Sequence, residues 1–262
     1  MKLWERLATL VGDTWITKRA VAVWPWPAIL VGSPHSRFTW QDYRHFTSKM
    51  QSGDFIVTQS APFFGSNAAI SGTAFKHGAV YVGPVSGNLN RESRCIESPA
   101  CVGLRYRHTG IGSGRLFERS VVHAISDGVV CQDVGELLFH ADYAMVVRPW
   151  TTDAERRAII VCALSACGRE YDFSFNHDDS MKVFCTELCT MCAESAGIRL
   201  PKQSLKRVSL LKPLVPVVLA DSVAVAYKPV CCSESCLDSA FQNQSALDGK
   251  FVDAIQKAWK EQ

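Results

Sequence analysis

The sequence predicts an α+β fold in one compact unit. Some segments have apolar residues at helical spacing, and others are short apolar runs bounded by turn residues, so both helices and strands are expected. These segments do not alternate regularly along the chain, as a sheet built from βαβ units would require. The sequence also contains no internal repeat and no low-complexity tract. We therefore expect helices packed against a sheet rather than a parallel α/β fold.

Five segments are predicted to be helices. They cover residues 3–20, 41–50, 152–167, 183–196 and 250–260. The third begins with acidic residues, which favour a helix N-terminus, and the third and fourth are followed by glycine, the residue that most often ends a helix. These two segments are therefore the strongest helix predictions.

Strands are predicted where short apolar runs lie between turn residues. They cover residues 55–58, 77–83, 121–125, 129–131, 143–148 and 215–227. The pair Asp127-Gly128 joins the third and fourth runs as a hairpin. Residues 68–75 are predicted to be a helix or a turn, and residues 84–118 a long loop rich in Gly, Ser and Arg.

Composition places the chain among globular proteins. It has 28 basic and 25 acidic side chains, a formal net charge of +3, and 47% hydrophobic residues. This balance excludes a protein that binds nucleic acid by charge alone and supplies enough apolar mass for a large core. Residues 20–32 form the most apolar N-terminal stretch, but two prolines interrupt it, so no membrane span is expected.

The N-terminus lacks the pattern of a secretory signal. Residues 1–16 carry acidic side chains where a signal would be apolar, and no small-residue cleavage site is present. We therefore expect the protein to be cytoplasmic as synthesised. Residues 1–50 are interpreted as a helical extension packed on the core, 51–230 as the main domain, and 231–262 as a helical tail.

Eleven cysteines are a high number for this length. In a cytoplasmic protein they are expected to be reduced, and an odd number leaves at least one unpaired. Cys185, Cys189 and Cys192 have the spacing of the iron–sulfur loop of radical SAM enzymes, but they fall within a predicted helix near the end of the chain. We favour the interpretation that Cys189 and Cys192 are small buried hydrophobes on that helix.

A zinc site is the alternative interpretation for some of these thiols. It would combine the helix cysteines with Cys231, Cys232 and Cys236, whose spacings occur among zinc ligands. Adjacent cysteines fit one tetrahedral centre poorly, so the sequence leaves this alternative open. We expect no cofactor.

Cys185 differs from the other cysteines because it comes at the predicted start of a helix. There the free backbone amides and the helix dipole favour a thiolate and can also bind an oxyanion. A cysteine nucleophile further needs a histidine base and a polar group that orients the histidine. The chain has seven histidines, at positions 35, 45, 77, 108, 123, 140 and 177. Among them, His77 and His123 lie on consecutive predicted strands that can bring them side by side.

Four segments together resemble a known family. They are GDFIV at 53–57, KHGAVYVG at 76–83, VVHAISDGVV at 121–130 and YDFSFNHDDSMKVFCTELC at 171–189. In this order they resemble the motifs of the circularly permuted NlpC-type cysteine hydrolases. This is the YiiX-like branch of the papain-like fold, whose wider superfamily includes the lecithin retinol acyltransferase-like proteins. The resemblance covers roughly residues 50 to 200 and implies a central antiparallel sheet packed against helices, with the nucleophile at a helix N-terminus.

The resemblance also implies roles for individual residues. Cys185 corresponds to the nucleophile, His77 to its base, and His123 to the polar group that orients the base. In the YiiX-like branch the third position often carries a glutamate, whereas unpermuted relatives commonly have histidine there. Tyr171 corresponds to an aromatic residue near the nucleophile that can assist oxyanion binding. Glu187 matches a usually acidic position, as a participant or as a structural carboxylate at the helix start.

The resemblance implies acyl transfer and leaves the substrate open. Peptidoglycan peptides are the leading class, with a lipid or acyl-amide substrate as the second enzymatic hypothesis and an inactive binding module as the third. Without a signal peptide, a cell-wall enzyme would need a specialised secretion or phage lysis route, as for an antibacterial effector with an immunity protein.

Two further segments have alternative interpretations. Under the lipid hypothesis, the apolar stretch with Trp24, Trp26, Ile29 and Leu30 would contact an interface, whereas the simpler interpretation is buried packing. The arginine-rich loop of residues 86–118 is either a solvated loop or a wall of the substrate cleft.

Overall fold

The computed structural model describes most of the chain outside a few long segments. The described residues are 37–59, 73–84, 119–125, 128–172, 181–200, 219–245 and 247–261. The predicted helix over residues 3–20, the Trp-rich stretch, most of the segment 68–75 and the loop 86–118 lie outside these ranges.

A six-stranded antiparallel sheet forms the centre of the fold, in the order β4-β3-β2-β1-β5-β8. Its strands are β1 (Phe55–Gln59), β2 (His77–Gly83), β3 (Ser120–Ile125), β4 (Gly128–Asp133), β5 (Tyr143–Arg148) and β8 (Lys228–Cys232). Two short strands, β6 (Glu170–Tyr171) and β7 (Lys182–Val183), pair in parallel as a separate ladder. The antiparallel sheet among helices confirms the predicted α+β class.

Seven α-helices are present in the described ranges. They are α1 (Trp40–Lys49), α2 (Val134–Leu138), α3 (Asp153–Ala166), α4 (Cys185–Ser195), α5 (Ala220–Ala226), α6 (Ser239–Gln242) and α7 (Asp248–Lys260). A 3₁₀ turn, Glu234–Leu237, precedes α6. Capping explains the boundaries of α1 and α3, because Thr39 and Thr152 each accept a backbone hydrogen bond while the third helical residue bonds back to the cap. Among the described residues, no helix is long and apolar enough to cross a membrane.

Two hydrophobic cores lie on opposite faces of the sheet. Alternate residues of a strand point to opposite faces, and accordingly Val80 and Val82 belong to the larger core whereas Ala79 and Tyr81 belong to the smaller. Helices α3, α4, α5 and α7 cover the larger core, and α1 and α2 cover the smaller. The sheet is therefore enclosed on both faces, with α4 lying across β2.

The strand predicted over residues 215–227 is wrong where the structure describes it, because residues 220–226 form helix α5. The alternating Val and Ala residues of this short segment fit either period. Tertiary packing selects the helix, since the fully buried residues Ala220, Val223 and Ala224 have the spacing of one helical face. The next strand, β8, starts only at Lys228.

The start of the predicted helix over residues 183–196 also differs from the structure. Val183 belongs to β7, where it pairs with Tyr171, and α4 begins two residues later at Cys185. The correction matters for function, because it makes Cys185 the first helical residue.

The C-terminal segment is part of the same core. Strand β8 runs through residues 230 and 231, where the sequence suggested a boundary. Phe251, Ile255 and Ala258 of α7 are fully buried in the larger core. Phe251 and Phe241 also pack against Phe75, two residues before β2. These contacts connect the C-terminus to the strand that carries His77.

Candidate active site

Helix α4 begins at Cys185, and a local hydrogen bond fixes this start. The Glu187 carboxylate accepts the backbone N–H of Phe184 at 3.3 Å, one residue before the helix. The first helical N–H groups have no partner within the helix and form an electropositive end. The Glu187 carboxylate thus contributes a hydrogen bond at the helix start, and Cys185 lies at the electropositive end.

The Cys185 thiol lies against the backbone of β2, on either side of His77. Its Sγ is 4.0 Å from the carbonyl oxygen of Lys76, and the side chain is only 6% exposed. Burial raises the pKa of Cys185, while the backbone N–H groups of Gly78, Thr186 and Cys185 itself act in the opposite direction. The thiol is therefore neutral at rest but lies among groups that stabilise negative charge.

Tyr171 reaches the same thiol from β6. Its hydroxyl forms a hydrogen bond with Cys185, which also opposes the rise in the pKa of the thiol. Burial raises the pKa of Tyr171 well above its ordinary value, so the phenol keeps its proton and remains a donor. The parallel pairing of Tyr171 with Val183 holds this side chain close to the start of α4.

Gly78 allows α4 to approach β2 this closely. A Cβ atom at this position would lie 3.1 Å from Cys189 Sγ and 3.5 Å from the carbonyl oxygen of Cys185. A side chain there would push the first turn of the helix away from the strand. The sequence analysis assigned no role to Gly78, because a requirement for close packing leaves no pattern in a single sequence.

The two predicted histidines are in direct contact. His77 Nε2 and His123 Nδ1 are 2.8 Å apart, and the rings meet edge to face at 81°. Burial, and secondarily the charge of His123, lowers the pKa of His77 to about 3. Burial lowers the pKa of His123 to about 4. Both rings are therefore neutral at physiological pH, as a base that must accept a proton requires.

The structure does not join the thiol and the His77 ring. Among the described residues, the hydrogen bonds of Cys185 are with the β2 backbone, its own helix start and Tyr171, and that of His77 is with His123. Without substrate, catalytic hydrogen bonds are commonly long and shorten only in the reactive complex. The resting arrangement is thus a neutral thiol on α4, packed in the larger core against β2, and a neutral imidazole on β2, in phase with Ala79 and Tyr81 of the smaller core.

A buried carboxylate fixes the chain just before His77. Asp221 of α5 is 1% exposed and accepts the backbone N–H groups of Ala74 at 2.8 Å and Phe75 at 2.7 Å. Lys76 donates to the carbonyl and hydroxyl oxygens of Thr73. Sequence reasoning missed Asp221, because its segment was interpreted as a strand and its partners are backbone groups far away in the sequence.

The other cysteines described by the structure are free thiols. Cys189 and Cys192 are fully buried in the larger core, as the sequence predicted. Cys231, Cys232 and Cys236 are also buried, and no group of three or more metal-binding side chains occurs in the described ranges.

A separate surface cavity of about 390 Å³ lies away from this site. It is lined by Trp40, Tyr43, Asp133, Gly135, Glu136, Phe139 and His140. Asp133 pairs with Ser120, which pairs with Gly83 at the far end of β2 from His77. The cavity is therefore at the opposite end of the strands from Cys185.

The comparison with protein families agrees with this geometry. The family model described as "Permuted papain-like amidase enzyme, YaeF/YiiX, C92 family" matches residues 49–236. The chain belongs to this family. It is thus a papain-like cysteine amidase or peptidase, as its sequence motifs implied, and the fold is the permuted papain-like fold.

One solved structure is similar to this permuted papain-like amidase. It is the crystal structure of the metalloprotein YiiX from Escherichia coli O157:H7, with 20% sequence identity and a TM-score of 0.43. The match covers 64% of this chain and 78% of the YiiX chain. No significant match was found among curated proteins.

Proposed function

We propose that Cys185 is the nucleophile of this amidase, with His77 as its base and His123 as the group that orients His77. The observation that supports this assignment is the position of the Cys185 thiol, at a helix start and against the β2 backbone that flanks His77. The 2.8 Å contact between His77 and His123 supports His123 as the group that orients the base. A nucleophile, a base and an orienting group are the set that acyl transfer requires.

The proposed reaction proceeds through an acyl-thioester. His77 takes the thiol proton as the Cys185 sulfur attacks the carbonyl carbon of an amide. The C–N bond breaks, and the protonated His77 returns its proton to the leaving amine. Water then hydrolyses the thioester, with His77 again as base, and releases the carboxylic acid and the free thiol.

The oxyanion of this reaction would be bound at the start of α4. The backbone N–H groups of Cys185 and Thr186 already act on the sulfur, and the Tyr171 hydroxyl is a further donor at the same point. Removing a single donor of this kind typically costs about 10²–10³ in kcat. Tyr171 is therefore assigned to oxyanion binding, and Glu187 to holding the helix start.

The proposed substrate is a peptidoglycan peptide. Many NlpC-type hydrolases, which the sequence resembles, cleave peptide bonds of bacterial cell walls, and this likeness is the basis of the substrate assignment. Under this proposal the protein acts outside the producing cell as an antibacterial effector, delivered by a specialised secretion route and neutralised at home by an immunity protein.

Digestion of purified peptidoglycan tests the chemistry. The wild-type protein is compared with Cys185→Ala, His77→Ala and the control Cys189→Ala, which removes a fully buried thiol one turn further along α4. We expect new amino termini and shorter peptides by mass spectrometry with the wild type and Cys189→Ala. Loss of cleavage in Cys185→Ala and His77→Ala would support the assignment.

Two outcomes would contradict parts of the proposal. Cleavage that survives Cys185→Ala would contradict the assignment of the nucleophile. No cleavage of peptidoglycan, together with turnover of acyl-lipids in a parallel panel, would replace the substrate class while retaining the nucleophile. For the effector role, expression in the periplasm of a test bacterium should lyse cells with the wild type and be harmless with Cys185→Ala.

A further inference from the structure

The His77–His123 pair can carry its shared proton in two ways, and only one of them suits a base. If His77 Nε2 donates to His123 Nδ1, the lone pair of His77 remains on Nδ1 and can accept the thiol proton. If His123 Nδ1 donates instead, Nδ1 of His77 carries a proton and cannot act as a base. The hydrogen-bond partner of His123 Nε2, the ring nitrogen away from His77, therefore decides whether His77 can act as a base.

That far nitrogen lacks a partner in the resting structure. His123 is 4% exposed, and its Nε2 atom is buried without a hydrogen-bond partner in the described ranges. A buried ring N–H without an acceptor is costly, at about 1–3 kcal/mol. A hydrogen bond from this N–H group to a nearby acceptor would therefore be strongly favoured.

Gln132 is placed to be that acceptor. Strands β3 and β4 pair with His123 opposite Val130 and Val121 opposite Gln132, so His123 and Gln132 are diagonal neighbours on one face of the sheet. Diagonal neighbours of this kind are within reach of long side chains. Gln132 is half-buried, and burial lowers the pKa of His123 while the nearby Gln132 side chain offsets part of that lowering. This direction is the one expected when an oxygen stabilises a ring N–H.

We propose that Gln132 is a positioning residue whose side-chain oxygen accepts the Nε2 proton of His123 and thereby fixes the tautomer of the His77–His123 pair. His123 Nδ1 is then an acceptor for His77 Nε2–H, and Nδ1 of His77 is free of a proton. The role of this tautomer in catalysis rests on the proposed function. The assignment of the tautomer does not depend on that function.

Gln132 had no signal in the sequence. It is separated from His123 by a hairpin, and only the register of β3 and β4 brings the two to the same face. A slip of one residue would turn Gln132 to the opposite face, where Val122 and Cys131 pack in the larger core.

The direct test is nuclear magnetic resonance on the protein labelled with ¹⁵N-histidine. Long-range ¹H–¹⁵N correlations near pH 7 report which nitrogen of each ring carries the proton. We expect His123 protonated on Nε2 and His77 protonated on Nε2. A His123 ring protonated on Nδ1 in the wild type would overturn the proposal without any variant being made.

Two substitutions separate positioning from simple packing. Gln132→Glu keeps only acceptor oxygens and should retain both the tautomer and the rate of Cys185-dependent cleavage. Gln132→Leu removes the acceptor and should mix the tautomers of His123, lowering kcat about tenfold with KM unchanged. The control Gln242→Leu removes another half-buried amide, near the β8 edge of the sheet, and should change neither measurement.

The remaining outcomes also decide the matter. If Gln132→Leu leaves the tautomers and the rate unchanged, Gln132 does not position His123 and the proposal is wrong. If Gln132→Glu is impaired as much as Gln132→Leu, the amide nitrogen is the interacting group and the proposal is also wrong. If Gln132→Leu does not fold, the wild-type spectrum and Gln132→Glu still decide it. If the tautomers are as expected but no substrate is cleaved, the proposed function fails while the role of Gln132 stands.

Discussion

Two groups of buried cysteines show what makes a thiol a candidate for chemistry. Cys185 lies beside backbone N–H groups and the Tyr171 hydroxyl, which favour the thiolate. Near β8, Cys232 and Cys236 instead donate to the carbonyl oxygens of Ile255 and Ala144, at 3.7 Å and 3.4 Å. A hydrogen bond with Cys236, together with burial, raises the pKa of Cys232, so that thiol is held neutral. Hydrogen-bond donors that act on the sulfur, rather than burial alone, distinguish Cys185 from Cys232.

The largest difference between the two regions should appear in alkylation of the native protein. We expect iodoacetamide to modify Cys185 faster than Cys232 by a factor on the order of 10³, since Cys232 reacts only after local opening. The Cys185 rate should rise with pH beyond the range of an ordinary thiol, because burial raises its pKa. Peptide mass spectrometry over pH 6–10 measures both rates, and equal rates in the folded state would contradict the comparison.

A bulkier residue at Gly78 tests how closely α4 must approach β2. Gly78→Val places methyl groups where Cys189 Sγ and the Cys185 carbonyl lie, so the helix start must move. Displacement of a nucleophile by about 1 Å can lower a rate about 10²-fold. Activity and alkylation of Cys185 measure the loss. Gly249→Ala, at a position with nothing within 4 Å of the added carbon, is the matched control and should be silent.

Removal of the Asp221 carboxylate tests how firmly the strand that carries His77 is held. Asp221→Ala leaves the buried N–H groups of Ala74 and Phe75 without their acceptor. We expect the free energy of unfolding to fall by about 2–4 kcal/mol, as for two unsatisfied buried donors. Chemical denaturation measures this. Asp153→Ala, which removes a carboxylate that is 86% exposed at the start of α3, should cost much less, and equal costs would contradict the role of Asp221.

Acid should destabilise the protein through the buried histidines. The folded state lowers the pKa of His123 to about 4, so between pH 6.5 and 4 the unfolded chain binds the proton that the folded chain does not. The contribution of His123 to the free energy of unfolding is therefore complete above pH 6.5 and is lost as the pH falls towards 4. We expect His123→Gln to reduce the loss between pH 7 and 4.5 by about 2 kcal/mol. Unfolding curves at the two pH values measure it, and parallel losses in both proteins would show that His123 does not contribute.

The sequence predicted the contact between His77 and His123, but it did not predict the contacts that hold the proposed site together. Cys185, His77 and His123 lie in motifs with local patterns, and the strand positions of the two histidines were sufficient to predict their contact. Gly78 and Asp221 act through the backbone of distant segments, which no local pattern records. Helix α5 was interpreted as a strand because its short Val-Ala run fits both periods, and only packing decides between them.

The order of elements along the chain has a consequence for synthesis. The strands that carry His77 and His123 lie well before α4 in the chain, and α5, which supplies Asp221, comes later still. During synthesis from the N-terminus, the histidine pair would therefore leave the ribosome before Cys185, and Asp221 would leave after both. The proposed catalytic centre would not be complete until α4 and α5 have both emerged.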